Sequence, residues 1–352
     1  MLVEARRVAA EISELLGVEV DADVTLAGRA VLLNLGPPGR ISAGGATRLL
    51  PTADGWWAVA LPRDDDIAAL PALMEIDKVT DPWGELSRWA ATRSTTNVTA
   101  RAALLDIAAA GLGESSAAAP TVQSCGAAVE SRRADGLLVA DLSSLWAGPL
   151  CGQLLARAGA TVVKVESPTR TDGTRRRESA FFDWMNAGKL SYAVDFDAQA
   201  DAVRRLLSVA DIVIEGSRPA ALRRRRLDAA TVPGPPGRIW LRINGYHGQP
   251  DRPAFGDDAA VAGGLVGDGP VFFGDAIADP LSGLEAARAV GESLRRGGGD
   301  VIDVAMAQVA ARYPPTGDLP TADRPATSPA AQLGADNSAV ERLVAEKLCA
   351  RC

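Results

Sequence analysis

The sequence predicts a doubly wound, mostly parallel α/β sheet (Rossmann-like) forming a large domain, accompanied by a smaller α+β domain. Three observations lead to this prediction. An apolar run at Leu137–Leu142, a helical pattern that starts after Gly148 and stops at Gly159, and a second β-branched run at Thr161–Val165 form a βαβ unit. Strand and helix patterns continue to alternate downstream. The first 120 residues lack this alternation and contain a hairpin pattern followed by helices.

Composition limits the classes of function. The chain has 352 residues, a formal net charge of −7 and 47% hydrophobic residues, which is typical of a globular protein and argues against a general nucleic-acid binder. Four cysteines are too few for a disulfide scaffold and favour a reducing, cytoplasmic setting. No apolar run is long enough to span a bilayer, and the charged first helix is not a signal peptide. The single histidine, His247, excludes a His-rich metal site, and no metal is expected.

The N-terminal segment predicts a small α+β domain over residues 1–120. Residues 1–17 form an amphipathic helix that stops at Gly17. A hairpin with an Asp-Gly turn joins Thr47–Leu50 to Trp56–Leu61. Three helical patterns follow, the last with Asn97 as its candidate N-cap; they cover Ile67–Met74, Trp83–Ala91 and Val98–Ala110.

The large domain is predicted over residues 121–312 and is followed by an extended tail over 313–352. Beyond the βαβ unit, strands are expected at Ser191–Phe196, Asp211–Glu215, Ile239–Ile243 and Val301–Val304. Helices are expected at Gln199–Val209, Ala220–Leu227 and Pro280–Arg295. Residues 313–332 are rich in Pro, Thr and Ala. The tail ends in Cys349-Ala350-Arg351-Cys352, which has the spacing of a redox or metal site but which we interpret as a frayed terminus.

The loop Leu145-Trp146-Ala147 directly follows the first strand of the βαβ unit. Ligands bind at such positions in open α/β sheets because the N–H groups of the next helix point outward. The alternative is a tight turn packed against the next strand. A G-x-G-x-x-G fingerprint is missing from this loop, which disfavours dinucleotide binding.

Basic residues are concentrated near predicted strand ends in this otherwise acidic chain. Such groups suit a ligand that carries several phosphates, such as a nucleotide or coenzyme A. A solvated arginine surface is the alternative, and it is favoured for Arg223–Arg226 taken alone. The candidate ligands for phosphate are Lys164, Arg170, Arg175, Lys189 and Arg218.

Carboxylates cluster in the Gly-rich segment over residues 255–280. Asp257, Asp258, Asp275 and Asp279 all fall there, and Asp279 directly precedes Pro280 at the predicted start of a helix. Asp279 can be a simple helix cap. A helix N-terminus also keeps a carboxylate ionised, as a nucleophile requires.

Taken together, these patterns resemble the class III CoA-transferases, the family of formyl-CoA transferase, carnitine CoA-transferase and alpha-methylacyl-CoA racemase. The resemblance covers residues 137–305, while residues 47–120 resemble the family's small domain, which normally follows the large one. Residues 322–346 resemble its C-terminal tail. The motifs, in family order, are VADLSSLWAGP, AGATVVKVE, DGTR, NAGKLSYAVDF, ADIVIEGSRP, INGYHGQP, GDDAAVAGG and GDAIADPLSG.

The resemblance implies that Asp279 is the catalytic nucleophile. It implies that acyl-CoA and a carboxylic acid acceptor are the partners, with CoA as a substrate and no permanently bound cofactor. Leu145–Ala147 match the loop beside the nucleophile, and the basic residues named above are candidates for the CoA phosphates. Family members are interlocked dimers, so a homodimer is expected.

Three departures from the family pattern bear on the choice of function. The G-H-D motif of the racemase branch reads Gly256-Asp257-Asp258 here, so its histidine is missing. Gly216 replaces the family's asparagine, and Ser42–Thr47 is an approximate counterpart of the transferases' Gly-rich lid. We expect a CoA-transferase. The alternatives are a racemase or epimerase in which Asp257 or Asp258 partners Asp279, and a non-catalytic CoA-binding protein or subunit.

Overall fold

The computed structural model describes residues 1–316 and 320–350 and shows a mixed α/β protein. Its N-terminal third contains α1 (Leu2–Leu16), α2 (Ala22–Leu33), β1 (Thr47–Pro51), β2 (Trp56–Ala60), α3 (Asp64–Ala68), α4 (Leu70–Met74), α5 (Pro82–Ala91), α6 (Thr95–Leu104) and β3 (Ala109–Gly111). The middle of the chain contains β4 (Thr121–Ser124), β5 (Leu138–Asp141), α7 (Ala147–Arg157), β6 (Thr161–Glu166), α8 (Thr174–Arg177), α9 (Ser179–Asn186), β7 (Leu190–Ala193), α10 (Ala200–Val209), β8 (Ile212–Glu215) and α11 (Pro219–Arg224). The remainder contains β9 (Ile239–Asn244), α12 (Gly256–Ala262), β10 (Val266–Gly267), β11 (Val271–Phe272), α13 (Ala278–Arg295), β12 (Asp300–Ala305), α14 (Met306–Ala310) and α15 (Asn337–Cys349).

The central sheet confirms the predicted fold class. Across the described residues it has seven strands in the order β4-β12-β9-β8-β5-β6-β7. All neighbouring pairs are parallel except β4 with β12. All four residues of β5 and of β8 are buried, as expected for strands covered by helices on both faces. The strand order reverses between β5 and β8, so the loops after these two strands diverge and leave a crevice there.

Two apolar layers cover the two faces of this sheet. One contains side chains of α1, α7 and α13, including Ile12, Leu154 and Leu284. The other contains side chains of α10 and α15, including Leu206 and Val340. The first helix therefore belongs to the core of the large sheet, which differs from the assignment of residues 1–120 to a separate domain.

The predicted extended tail also differs from the structure, because it contains the 13-residue helix α15. Val340 and Val344 lie one helical turn apart and bury a stripe against the sheet. The N-terminal end of this helix binds the edge strand. The Ser191 and Ala193 N–H groups donate to Asp336 Oδ2 (2.8 Å) and Asn337 Oδ1 (2.9 Å). Cys352 lies outside the described residues.

The smaller sheet has the antiparallel order β1-β2-β3 and its own apolar core with α4, α5 and α6. The predicted hairpin is confirmed, with Pro51 opposite Trp56 beside the turn. The third predicted helix begins earlier than expected, because Ser94 rather than Asn97 accepts the capping hydrogen bond. It also ends earlier, since Asp106 adopts a φ of 58° that a helix cannot continue through.

No helix among the described residues is long and apolar enough to cross a membrane.

Candidate active site

The centre of the candidate site is the N-terminal turn of α13. Asp279 is the second residue of this helix, and its N–H donates to the Ala276 carbonyl (2.9 Å). Ala276 has a φ of 42°, which a residue with a side chain adopts only when its surroundings impose it. The turn that delivers Asp279 is therefore strained and held in place by its neighbours.

Three carboxyl groups converge at this turn. The Ala276 N–H donates to Oδ1 of Asp257 on α12 (3.0 Å), and Asp275 lies in the same turn. Gly256 permits the close approach, because a Cβ built on it would lie 2.4 Å from Asp279 Oδ2 and 2.3 Å from the Ala276 oxygen. The structure thus brings together three of the four carboxylates that the sequence singled out.

The electrostatics of these groups follow mainly from burial. Loss of solvent, together with the charges of Asp257 and Asp275, raises the pKa of Asp279 to about 7 against the opposing charge of Arg29. Burial and the Asp275 charge raise the pKa of Asp257 to about 6. Burial therefore opposes the effect of the helix N-terminus, which favours the ionised carboxylate.

Asp258 points away from this cluster. Its Oδ1 accepts the Phe255 N–H (2.8 Å) and its Oδ2 lies 3.5 Å from the Tyr246 hydroxyl. The side chain is fully buried, which raises its pKa to about 8. These contacts are those of a group that caps the start of α12, not of a group that faces Asp279.

The segment compared with the Gly-rich lid contacts the acidic cluster. The side chains of Ser42 and Thr47 lie close enough to the Asp257 carboxylate to lower its pKa. Ser42 Oγ also accepts the Thr47 N–H (3.1 Å), which closes the loop on itself. A loop of the small sheet therefore reaches the carboxylates within the same chain.

Arg29 on α2 is a functional candidate that the sequence analysis missed. Its guanidinium pairs with Glu178 (2.9 Å) and with Asp275 (2.5 Å). Burial disfavours the charge, yet the two carboxylates raise the pKa of Arg29 above its usual value. The signal available in the sequence was a single arginine inside the otherwise apolar stretch Val24–Leu33.

The loop after β5 leads into α7, which packs against α13. Leu145 has a φ of 69°, and its N–H donates to Asp172 Oδ2 (3.0 Å). Trp146 is buried edge-on against Phe181, with ring centroids 5.2 Å apart. Ala147 begins α7, and a Cβ added to Gly283 would lie 2.8 Å from its oxygen. Helices α7 and α13 thus touch at the level of this loop.

Both candidate lysines lie inside the protein. The Lys164 ammonium donates to Asp172 Oδ2 (2.9 Å) and to the Ser143 carbonyl. The Lys189 ammonium donates to Asp141 Oδ2 (2.8 Å) and to the Pro149 carbonyl (2.9 Å). This differs from the expectation that they face a ligand, since neither ammonium is accessible to a phosphate in this structure.

The candidate arginines are placed differently from one another. Arg175 pairs with the buried Glu166 (2.5 Å) and lies over the Phe182 ring. Arg218 is 39% exposed and pairs with the exposed Asp106 (2.9 Å). Arg170 is exposed on the loop after β6. Only exposed groups can reach a phosphate without breaking a buried contact, so Arg170 and Arg218 remain as candidates.

Within residues 1–316 and 320–350, no group of three or more His, Cys, Asp or Glu side chains is arranged to hold a metal ion.

Comparison with known proteins identifies similar chains. The chain is similar to a succinyl-CoA–D-citramalate CoA-transferase of Chloroflexus aurantiacus, with 32% identity over 200 residues that cover 50% of this chain and 49% of the relative. It is also similar to a succinate–glutarate CoA-transferase of Agrobacterium fabrum, with 30% identity over 203 residues, 49% of this chain and 51% of the relative. The chain thus spans about half the length of the relatives it matches.

A similar solved structure is that of a CAIB/BAIF family protein from Brucella suis. It is 29% identical, has a TM-score of 0.47, and is matched over 52% of this chain and 55% of that one. The sequence model of CoA-transferase family III matches residues 134–332, which is more than half of the chain. The match includes the loop after β5 and the turn that carries Asp279, and on this evidence the chain belongs to CoA-transferase family III.

Proposed function

We propose that this protein transfers coenzyme A from an acyl-CoA to a carboxylic acid through a covalent intermediate on Asp279. The observation that carries the proposal is the position of Asp279 itself. Asp279 lies in the first turn of α13, just after the strained residue Ala276, and within the matched region. The relatives named above as CoA-transferases support the same reaction class.

The first half of the reaction consists of two steps, and in each step one bond to a carbonyl carbon forms while another breaks. The ionised Asp279 carboxylate attacks the thioester carbonyl, the C–S bond breaks, and CoA leaves as the thiolate. The product is a mixed anhydride between the acyl group and Asp279. The thiolate then attacks the Asp279 carbonyl carbon, which releases the original acid as its carboxylate and leaves Asp279 as a CoA thioester.

The second half repeats these steps with the acceptor. The acceptor carboxylate attacks the Asp279 thioester and expels CoA thiolate, which gives an anhydride between the acceptor and Asp279. Attack of the thiolate on the acceptor carbonyl forms the new acyl-CoA and regenerates the Asp279 carboxylate. No net proton transfer is required, so the protein's task is to hold the reactants and stabilise oxyanions.

Other residues have supporting roles in this proposal. The amides at the start of α7, which packs against α13, are suited to stabilise the oxyanion, because first-turn N–H groups lack partners within the helix. Asp257 lies beside the nucleophile and accepts the Ala276 N–H. Arg170 and Arg218 are the proposed phosphate ligands.

Intact-protein mass spectrometry with a panel of acyl-CoA thioesters tests the proposal directly. Wild-type protein is expected to gain a covalent adduct, which borohydride reduces to the alcohol at residue 279 with release of CoA, and Asp279→Ala is expected to gain none. Asp268→Ala is the matched control, since Asp268 is exposed in the same Gly-rich segment. The transferase proposal fails if wild-type protein binds CoA but forms no adduct with any thioester.

A racemase or epimerase acting on a 2-methylacyl-CoA is the second candidate. It is favoured by the adjacency of Asp257 and Asp279, whose pKa values of about 6 and about 7 suit proton transfer near neutral pH. Deuterium incorporation at the α-carbon from D₂O separates the two candidates, because CoA transfer requires no exchange there. CoA binding without an adduct or exchange would instead indicate a binding protein or a subunit.

A further inference from the structure

Arg29 connects parts of the site that are far apart in sequence. Its side chain is only 13% exposed. Nε and Nη2 donate to Glu178 Oε2 (3.0 Å) and Oε1 (2.9 Å), while Nη1 donates to Asp275 Oδ1 (2.5 Å). A guanidinium fork is required for this arrangement, since the two acids are bound through different nitrogens.

The same guanidinium lies against two aromatic rings. Its central carbon is 5.8 Å from the Trp146 centroid and 5.4 Å from the Phe181 centroid. Trp146 belongs to the loop after β5, and Phe181 belongs to α9. Arg29 thus joins this loop to the turn before α13.

Asp275 is the point at which Arg29 can influence Asp279. It lies between Gly274 (φ of 81°) and Ala276 (φ of 42°), so the backbone on both sides adopts left-handed conformations. Ala276 donates its N–H to Asp257 and accepts the Asp279 N–H on its carbonyl. Any displacement of Asp275 therefore alters the positions of both neighbouring carboxylates.

The Asp275 carboxylate is bound on one side only. Among the described residues, its Oδ2 is buried and has no hydrogen-bond partner. Four carboxylates, those of Glu178, Asp257, Asp275 and Asp279, lie in or next to this cluster, and Arg29 is the cation that faces them. Without the guanidinium, the buried acids would repel each other and the turn would lose its anchor.

We propose that Arg29 is a positioning residue of the active site, which holds the strained turn at residues 274–277 through Asp275 and thereby fixes Asp279 and the Ala276 N–H. Only the expected effect on catalysis rests on the proposed function. The alternative is that Arg29 merely attaches α2 to the core of the protein.

The test compares Arg29→Lys, Arg29→Met and Asp275→Asn with Arg6→Met as the matched control. Arg6 also forms a bidentate ion pair within the N-terminal segment, with Asp23 (2.9 and 3.0 Å). Arg6 is exposed, and Asp23 does not belong to the carboxylate cluster. Arg29→Lys keeps the charge and loses the fork. It and Asp275→Asn keep the proposal testable if Arg29→Met does not fold.

Two readouts do not depend on turnover. The first is amide hydrogen exchange over residues 274–279, and the second is the titration of the Asp279 carboxyl carbon followed by NMR. In Arg29→Lys and Asp275→Asn, exchange in this turn is expected to become about tenfold faster. Loss of the cation in Arg29→Met is expected to raise the Asp279 midpoint by roughly one pH unit. Arg6→Met should leave both readouts unchanged.

The third readout is the rate of adduct formation and its dependence on acyl-CoA concentration. Arg29→Lys is expected to lower the maximal rate by about 10- to 100-fold, with the half-saturating concentration within about threefold of wild type. The proposal is overturned if the Arg29 variants match Arg6→Met in exchange and titration. A wild-type protein that forms no adduct refutes the proposed function, whereas exchange and titration still decide the role of Arg29.

Discussion

Asp279 titrates near neutral pH because burial disfavours its ionised form, and its pKa of about 7 makes the proposed reaction pH-dependent. Only the ionised carboxylate is a nucleophile. The rate of adduct formation is therefore expected to rise roughly tenfold between pH 6 and pH 8, as the ionised fraction increases. Quenched-flow mass spectrometry at subsaturating acyl-CoA measures this rate. A flat profile across this range would contradict the assignment.

The burial of Asp258 makes the stability of the folded protein depend on pH. The pKa of Asp258 is about 8 in the folded protein, whereas an aspartate in the unfolded chain titrates near 4. The folded state binds a proton that the unfolded state has released, so the stability conferred by the protonated form is present below pH 4. It is lost as the pH rises to 8.

Asp258→Asn removes this proton uptake while preserving an acceptor for the Phe255 N–H. The free energy of unfolding of the variant is expected to exceed that of wild type by on the order of 2 kcal/mol at pH 8, and to show no such excess at pH 4. Urea denaturation at both pH values measures the difference. Asp268→Asn, an exposed counterpart, should show no pH-dependent gain.

Single site residues could be predicted from the sequence where a local motif or a position next to a helix start marks them. Asp257 and Asp279 could be selected because the Gly-rich segment and the helix start are visible in the sequence. Arg29 could not, because its partners Glu178 and Asp275 are 149 and 246 residues away in the chain. Lys164 and Lys189 were expected to face a ligand, because a basic residue near a strand end looks the same whether it points outward or inward.

The Lys189 ion pair acts at the scale of elements, since it ties together the end of β5, the first turn of α7 and the end of α9. Its ammonium contacts Asp141, the Pro149 carbonyl and Asn186 Oδ1 (3.1 Å). Lys189→Met would leave the Asp141 carboxylate buried without its partner. The variant is expected to lose about 3–5 kcal/mol of unfolding free energy.

Urea denaturation measures this loss, and CoA affinity corrected for the folded fraction should stay within about threefold of wild type. The double variant Asp141→Asn/Lys189→Met is expected to recover part of the stability, because no charge remains unpaired. A single variant of normal stability with much weaker CoA binding would restore Lys189 as a phosphate ligand.

Helices and strands marked by a local residue pattern were predicted well. Helices whose position depends on packing against distant parts of the chain were not. The strand–helix–strand unit over β5, α7 and β6 could be predicted because its apolar spacing and glycine stops are local. The sequence analysis named no helix over α2. Helix α15 was missed because the Pro-rich residues before it dominate the composition of the tail.

The whole molecule depends on segments outside the region that defines its family. The matched residues 134–332 lack α1, β4 and α15, yet Ala5, Val8 and Ile12 of α1 are fully buried in the core shared with α13. Burying a side chain such as Val or Ile contributes about 1.5–3 kcal/mol, and domains are stable by only about 5–15 kcal/mol.

A recombinant fragment of residues 134–332 is therefore expected not to fold cooperatively, whereas the full chain should show one sharp transition. Circular dichroism during thermal unfolding and the dispersion of amide NMR signals measure this. A fragment that unfolds in a single sharp transition would show that α1 and α15 are dispensable. The sequence could not reveal their role, because the period of an amphipathic helix does not specify the surface it covers. The homodimer stays a prediction.

The side chains that bind β7 have a consequence for the protein in concentrated solution. An outer strand with free amide groups is a template for adding a strand of another molecule. Here Asp336 and Asn337 occupy the Ser191 and Ala193 amides, and Asn337 Nδ2 donates to the Ala193 carbonyl (2.9 Å). Asp336 and Asn337 are therefore expected to limit the addition of a further strand at β7. Cleavage before residue 336 is expected to promote self-association.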